Sequence, residues 1–425
     1  MNLGGLATGK APPADAPLLL FRLMPLFLGL TGLVLLWRGG GMLLSRWDPA
    51  VLGVTHFIVL GALAPVMCGA LLQIAPVLLD APYAKVRRIA GVTALSLGGG
   101  SLLIGSGLLT SQPPLLLGGG AAVATGMAVF LVATLRLLQA ASSRPELRRA
   151  LRLAAAALLV TILLGITLAS ARAGLIVLPG HIYWTDTHMA WGLGGWIGLM
   201  LAGAGMEIIP LFYVSPAFPH SFRRLLPTAV VALLCLIALL TPSRPSPLAD
   251  VLPGLLLFAY ALFNLFALHI EQRRSRPVRD ASLWLWQGAH LAVTGALFSW
   301  LANVPGVHTG ILLLGSILCF VVGALMKIFP FLTWLDLQQE RLSNQRMEAK
   351  LPRLRELLPD AQANAIALTL GAALASALCA TAWSPLARLS GGLLLICSFL
   401  LAHALERTVM MRRALIARFR DPTQG

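Results

Sequence analysis

Imidazole is the side chain that most often ligates a transition metal, and inside a membrane it is costly to bury unless its ring nitrogens find partners. Three histidines of this chain stand in one recurring apolar frame. His188 opens HMAWGLGGWIGLMLAGAGMEIIP, His308 opens HTGILLLGSILCFVVGALMKIFP, and His56 opens HFIVLGALAPVMCGALLQIAP. In the later two copies Gly follows at +7 and +15 and Pro at +22; in the first, Gly69 and Pro76 keep their seven-residue gap, but His56 lies only twenty before the proline. Matched positions on matched segments favour joint metal coordination by His56, His188 and His308 over three unrelated packing roles. An imidazole pair from facing helices would hold a b-type haem iron, and a single imidazole would leave a position open for a gas.

Three residues before each proline stands a polar residue, Gln73, Glu207 or Lys327. A charge at that depth needs a partner or water, so Glu207 and Lys327 read either as an ion pair closing one end of the bundle or, with Gln73, as a proton path. His290, in WLWQGAHLAVTG, is a further cofactor-ligand candidate, or else it hydrogen-bonds across the bundle to Gln287 or Asn303. His181, Asp186 and His188 have a spacing that can cup zinc or copper, unless they form a solvated loop. Arg172 and Trp184, near the same membrane face, are candidates to hold the acid groups of a haem.

The elements that must position these residues are membrane helices. With 425 residues, 58% hydrophobic and only 11% charged, the chain has apolar runs each long enough to cross about 30 Å of hydrocarbon. Its mean hydropathy of +0.83 excludes a water-soluble globular protein. Twelve spans are expected between positions 18 and 410, and those at 50–79, 185–214 and 306–334 carry the repeated frame. Repeats on the second, sixth and tenth spans imply an all-α polytopic membrane protein, twelve transmembrane helices arranged as three pseudo-symmetric four-helix units of one membrane domain. The units run over about 1–141, 142–271 and 272–411. The polar stretch 336–362 has Leu337, Leu342, Met347, Leu351, Leu354 and Leu358 at helical spacing and predicts a cytoplasmic interfacial helix.

The formal charge of +16 comes from arginines and lysines in alternate connections, for instance Arg87 and Arg88, Arg148 and Arg149, Arg273, Arg274 and Arg276, and Arg412 and Arg413. By the positive-inside rule those loops and both termini face the cytoplasm. Their expected partners are anionic lipids, not nucleic acid. The five cysteines lie inside apolar runs without CxxC or CxxCH spacing, which argues against covalent haem attachment.

Twelve spans in three sets of four, with histidines on spans two, six and ten, resemble subunit I of the haem-copper oxidase superfamily, and within it the reduced, NnrS-like branch. On span two, His56, Pro65, Gly69, Pro76 and Asp80-Ala81-Pro82 are similar to the family's low-spin-haem helix. On span ten, GALMKIFPFLTW resembles its GGxxxWFP ending, and on span six TDTHMAWGLGGW resembles the HxHxGxLGW frame. The resemblance implies a bacterial inner-membrane protein with haem b, and with copper as a second metal. It further implies that His56 and His308 share the haem while His188 holds a second haem or copper. On this resemblance the protein would handle electrons or a diatomic gas such as nitric oxide, draw on an electron-donor protein or partner subunit, and carry out an oxidoreduction in any turnover. The usual oxidase copper site is missing. Met189-Ala190 and Thr309-Gly310 stand where a second histidine is needed, and Leu225 to Thr241 lacks the consecutive pair. Two other classes remain open on the residues alone: a secondary transporter with Glu207 and Lys327 as coupling charges, and a cofactor-free scaffold or assembly protein.

Overall fold

In hydrocarbon every backbone amide must be satisfied within the segment, which leaves apolar runs of this length no option but helix. A computed structural model describes residues 8–275 and 278–420 and is helical throughout, with no strand among them. Residues 1–7, which begin the first repeat unit, and Arg276 lie outside the described residues.

Among the described residues, eleven helices are long and apolar enough to cross a membrane: α1 (Asp15–Leu44), α2 (Pro49–Leu79), α3 (Val86–Leu109), α4 (Pro113–Ala140), α5 (Pro145–Arg172), α6 (His181–Tyr213), α7 (His220–Ser243), α8 (Pro247–Gln272), α10 (Gly306–Ser343), α11 (Asp360–Cys379) and α12 (Leu386–Arg420). Between α8 and α10 lies α9 (Ala281–Leu301), 21 residues long. Its hydropathy is reduced by Gln287, His290 and three tryptophans. Consecutive helices pack on one another, and α12 packs on α1, so the bundle closes on itself. Small residues make that closure tight. A Cβ at Gly32 of α1 would come within 2.6 Å of the Gly391 carbonyl of α12, and a Cβ at Gly391 equally close to the Gly32 carbonyl.

Ion pairs mark the two ends. At the arginine-rich end Lys10 pairs with Asp80, Arg22 with Glu406 and Arg412 with Asp336. At the other end Arg46, after α1, reaches Asp186 near the start of α6.

The stretch after Pro330 departs from expectation. α10 continues without a break to Ser343, where an interfacial helix was expected to start at Asp336. Nothing between Pro330 and Ser343 breaks a helix. Leu337 is fully buried, and the extension packs beside an equally extended α12, with Arg412 on Asp336 at 2.8 Å and Arg420 on Glu340 at 2.7 Å. Only Leu354–Leu357 forms a separate short helix. Arg412 and Arg420 are therefore bound to carboxylates of the chain itself.

Candidate cofactor site

His56 and His188 each sit just before a break in α-helical geometry. In α2 the hydrogen bonding widens to the π pattern over Phe57–Leu63, and in α6 over Ala190–Gly198. The causes differ. In α2 the wide turns end just before Pro65, whose ring would clash with an α-helical turn and which has no N–H to complete one. In α6, Gly192, Gly194, Gly195 and Gly198 give the backbone little reason to stay α-helical. The Tyr260 hydroxyl of α8 donates to the Gly194 carbonyl inside that stretch. A Cβ at Gly198 would lie 2.4 Å from the same hydroxyl, so only glycine admits it.

Both imidazoles are held in the same way. His56 donates Nδ1–H to the Leu52 carbonyl at 2.8 Å, and His188 donates Nδ1–H to the Thr161 carbonyl of α5 at 3.1 Å. Neither Nε2 has a hydrogen-bond partner among the described residues. Gly165 leaves room for the His188 ring, its virtual Cβ lying 3.1 Å from Cε1. Both rings border a cavity of about 750 Å³ that runs between α2, α5, α6, α8 and α10. A backbone carbonyl on one ring nitrogen fixes the tautomer and leaves the other as a lone pair; metal-ligating histidines are oriented in this way.

The cavity wall is mostly apolar and its charged groups are gathered at one end. There Asp186 accepts from Arg46 at 2.6 and 3.2 Å and lies 3.5 Å from Arg244, which also reaches Asp250 at 3.0 Å. Arg46 stacks on Trp47, and Arg244 on Tyr183. The volume falls in the range of ligand pockets, and an apolar body with a charged rim suits an amphipathic ligand bearing acid groups. Sequence reasoning looked to Arg172 and Trp184 for that rim, but neither borders the cavity. Arg46 and Arg244 were missed because they lie in connections between spans, where a single arginine carries no periodic signal.

His308 does not join the other two. Its Nε2 is 2.7 Å from the Thr381 hydroxyl and its Nδ1 3.3 Å from the Pro305 carbonyl, and the ring is absent from the cavity wall. The structure thus brings together His56 and His188 in place of His56 and His308. The reason is register. α10 is α-helical from Gly306 to Ser343, whereas each widened turn of α6 takes up extra chain, and one residue is worth about 100° of rotation. An identical 22-residue gap to the proline therefore aims His188 and His308 in different directions.

Other candidates are also redistributed. His181 is exposed and Asp186 is engaged by arginines, so the expected cup with His188 is not formed. Among the described residues no three His, Cys, Asp or Glu side chains gather around a point. Glu207 and Lys327 do not pair. Glu207 accepts from Arg144 and Arg223, while Lys327 donates to Asp280 at 2.7 Å over the Tyr213 ring. Gln73 is buried with its Oε1 unpartnered among the described residues, so the three polar positions form no joined path. His290 has both nitrogens occupied, by Asn264 at 2.6 Å and Glu271 at 3.1 Å, in place of Gln287 or Asn303, and is not a free ligand. Asn264 and Glu271 are seven residues apart on α8, two turns along one face, a spacing that marks them as a pair of inward polar residues.

No protein-family model matches the chain, and no curated protein sequence matches it.

Proposed function

We propose that this multi-pass membrane protein binds haem b in the central cavity, where His56 and His188 would hold it, and that it handles electrons or a diatomic gas such as nitric oxide. The observation that carries this reading is the pair of imidazoles on different helices, each with Nδ1 held by a backbone carbonyl and with no hydrogen-bond partner for Nε2 among the described residues, both lining one cavity. The resemblance of their frames to the haem-copper superfamily supports it. Bound haem supplies one-electron chemistry at iron, tuned by its axial ligands.

The chain's own residues do the rest. Leu52 and Thr161 keep the two histidines in the tautomer that presents Nε2, and the apolar wall excludes water. Arg46 and Arg244 offer the acid groups of the ligand guanidinium partners at the rim, in exchange with Asp186. No third His, Cys, Asp or Glu donor is gathered with the two histidines among the described residues. On this reading the arginine-rich end and both termini face the cytoplasm of a bacterial inner membrane, against anionic lipids, and an electron-donor protein or partner subunit docks on the assembly.

The test is a reduced-minus-oxidised spectrum of detergent-purified protein from haem-replete cells. A Soret band with the signature of two axial imidazoles is expected. Colourless protein overturns the assignment.

A further inference from the structure

Beside the cavity, in the wall formed by α8 and α9, lies a second set of ionisable groups that the haem reading does not use. Glu271 is 0% exposed and His290 1%. Asn264 Nδ2 donates to the Tyr260 carbonyl at 2.7 Å, which turns its Oδ1 towards His290; His290 therefore donates Nδ1–H to Asn264 at 2.6 Å. That leaves Nε2 for Glu271 Oε1, and their 3.1 Å contact requires one proton, carried by the imidazole or by the carboxyl. The other carboxylate oxygen, Glu271 Oε2, has no hydrogen-bond partner among the described residues. A buried carboxylate oxygen left bare is an unfilled proton or hydrogen-bond position.

The neighbours give this pair two sides. Towards the arginine-rich end, Arg274 donates to the Glu271 carbonyl. Beyond it Asp280, at the start of α9, accepts from Lys327 of α10 and from the Tyr213 hydroxyl of α6. From α5 and α7, Arg144 and Arg223 are turned to Glu207. On the opposite side Asn264 forms part of the cavity wall. The pair thus stands between a charged cluster at one membrane face and the central cavity.

We propose that Glu271 and His290 form a proton-binding site, filled from the arginine-rich face, that loads when negative charge enters the cavity. The proposal rests on the cavity holding a redox centre. An electron placed in a low-dielectric interior raises the proton affinity of ionisable groups around it. Asp186 and Asp250 at the rim are already paired with arginines, whereas Glu271 keeps a bare carboxylate oxygen. The incoming proton, from water at the arginine-rich face, bonds to Glu271 Oε2, and the proton already shared between Oε1 and Nε2 stays. One electron in the cavity is then balanced by one positive charge on the pair, and Asn264 couples the two.

The test uses purified, detergent-solubilised full-length protein and dithionite as reductant. Reduction is expected to raise or shift an infrared carboxylic C=O band, and the midpoint potential is expected to fall as pH rises. In Glu271→Gln both effects are lost while the visible spectrum is retained. Coloured wild-type protein whose potential does not change with pH overturns the proton site and leaves the haem assignment standing, with no variant needed. Colourless protein overturns the haem assignment, and the proton site is then decided by a pH titration of the same infrared band. A carboxylic band that grows as pH falls and is missing from Glu271→Gln supports the site. Its absence in wild type, or its persistence in the variant, overturns it.

Discussion

α6 and α10 carry nearly the same frame, a histidine followed by Gly at +7, Gly at +15 and Pro at +22, yet they use it differently. In α6 the chain widens into π geometry directly after the histidine, and His188 turns to the central cavity opposite His56. In α10 the chain stays α-helical and His308 is spent on Thr381. The comparison teaches that a ligand's position along a helix is set by residue count, but its direction by the hydrogen-bond pattern of the intervening turns. One proline in α2 and a cluster of glycines in α6 change that pattern, and α10 has neither between His308 and Pro330.

The difference is most sharply broken at the histidines themselves. His56→Ala and His188→Ala are each expected to reduce haem retention by on the order of tenfold or more, with His308→Ala close to wild type, as read by haem-to-protein ratio after purification. If His308→Ala instead bleaches the protein while His188→Ala does not, the helices have exchanged roles and the assignment is wrong.

A smaller effect is expected at Pro65. Pro65→Ala restores an N–H and lets α2 close back towards α-helical turns, rotating His56 away from the cavity. Haem retention should fall several-fold, up to about tenfold, with a shifted Soret maximum. An unchanged spectrum would show that the wide turns do not aim His56.

At the α6–α8 contact, Tyr260→Phe removes the hydroxyl that engages the Gly194 carbonyl. We expect a loss of about 1 kcal/mol in unfolding free energy, measured with the reversible unfolding of the detergent-solubilised protein, and a modest spectral change. The smallest effect belongs to α10. Thr381→Ala frees His308 from its hydroxyl partner and should cost no more than about 1 kcal/mol, with no change in the haem spectrum. A spectral change there would indicate that α10 contributes to the cofactor after all.

Much of this was legible in the chain itself. The octets GALLQIAP, GAGMEIIP and GALMKIFP identify the three repeat helices, and the apolar runs locate the long helices, although several of these continue well past the apolar run, as α10 does to Ser343 and α12 to Arg420. His56, His188 and His308 all stood out as isolated imidazoles in apolar surroundings, and nothing along the chain separated His308, which lies off the cavity wall, from the other two. The companions of Glu207 and Lys327 were not legible, because each pairs with a residue brought in from another helix or connection: Arg144 and Arg223 for the one, Asp280 for the other. Glu271 escaped notice for a related reason. Its place at the end of an apolar span looks solvated until α9 delivers His290 onto it.

Hydrophobic content and residue spacing, read along a single chain, determine which segments enter a membrane and how far down each helix a side chain stands, since both depend only on local geometry and transfer cost. Which imidazoles line one cavity, which carboxylate loses its water and which arginines gather at the cavity rim were decided only when the helices packed. Those outcomes depend on the rotation of each helix about its own axis, and a single π turn, too short to disturb the hydrophobic pattern, is enough to change that rotation.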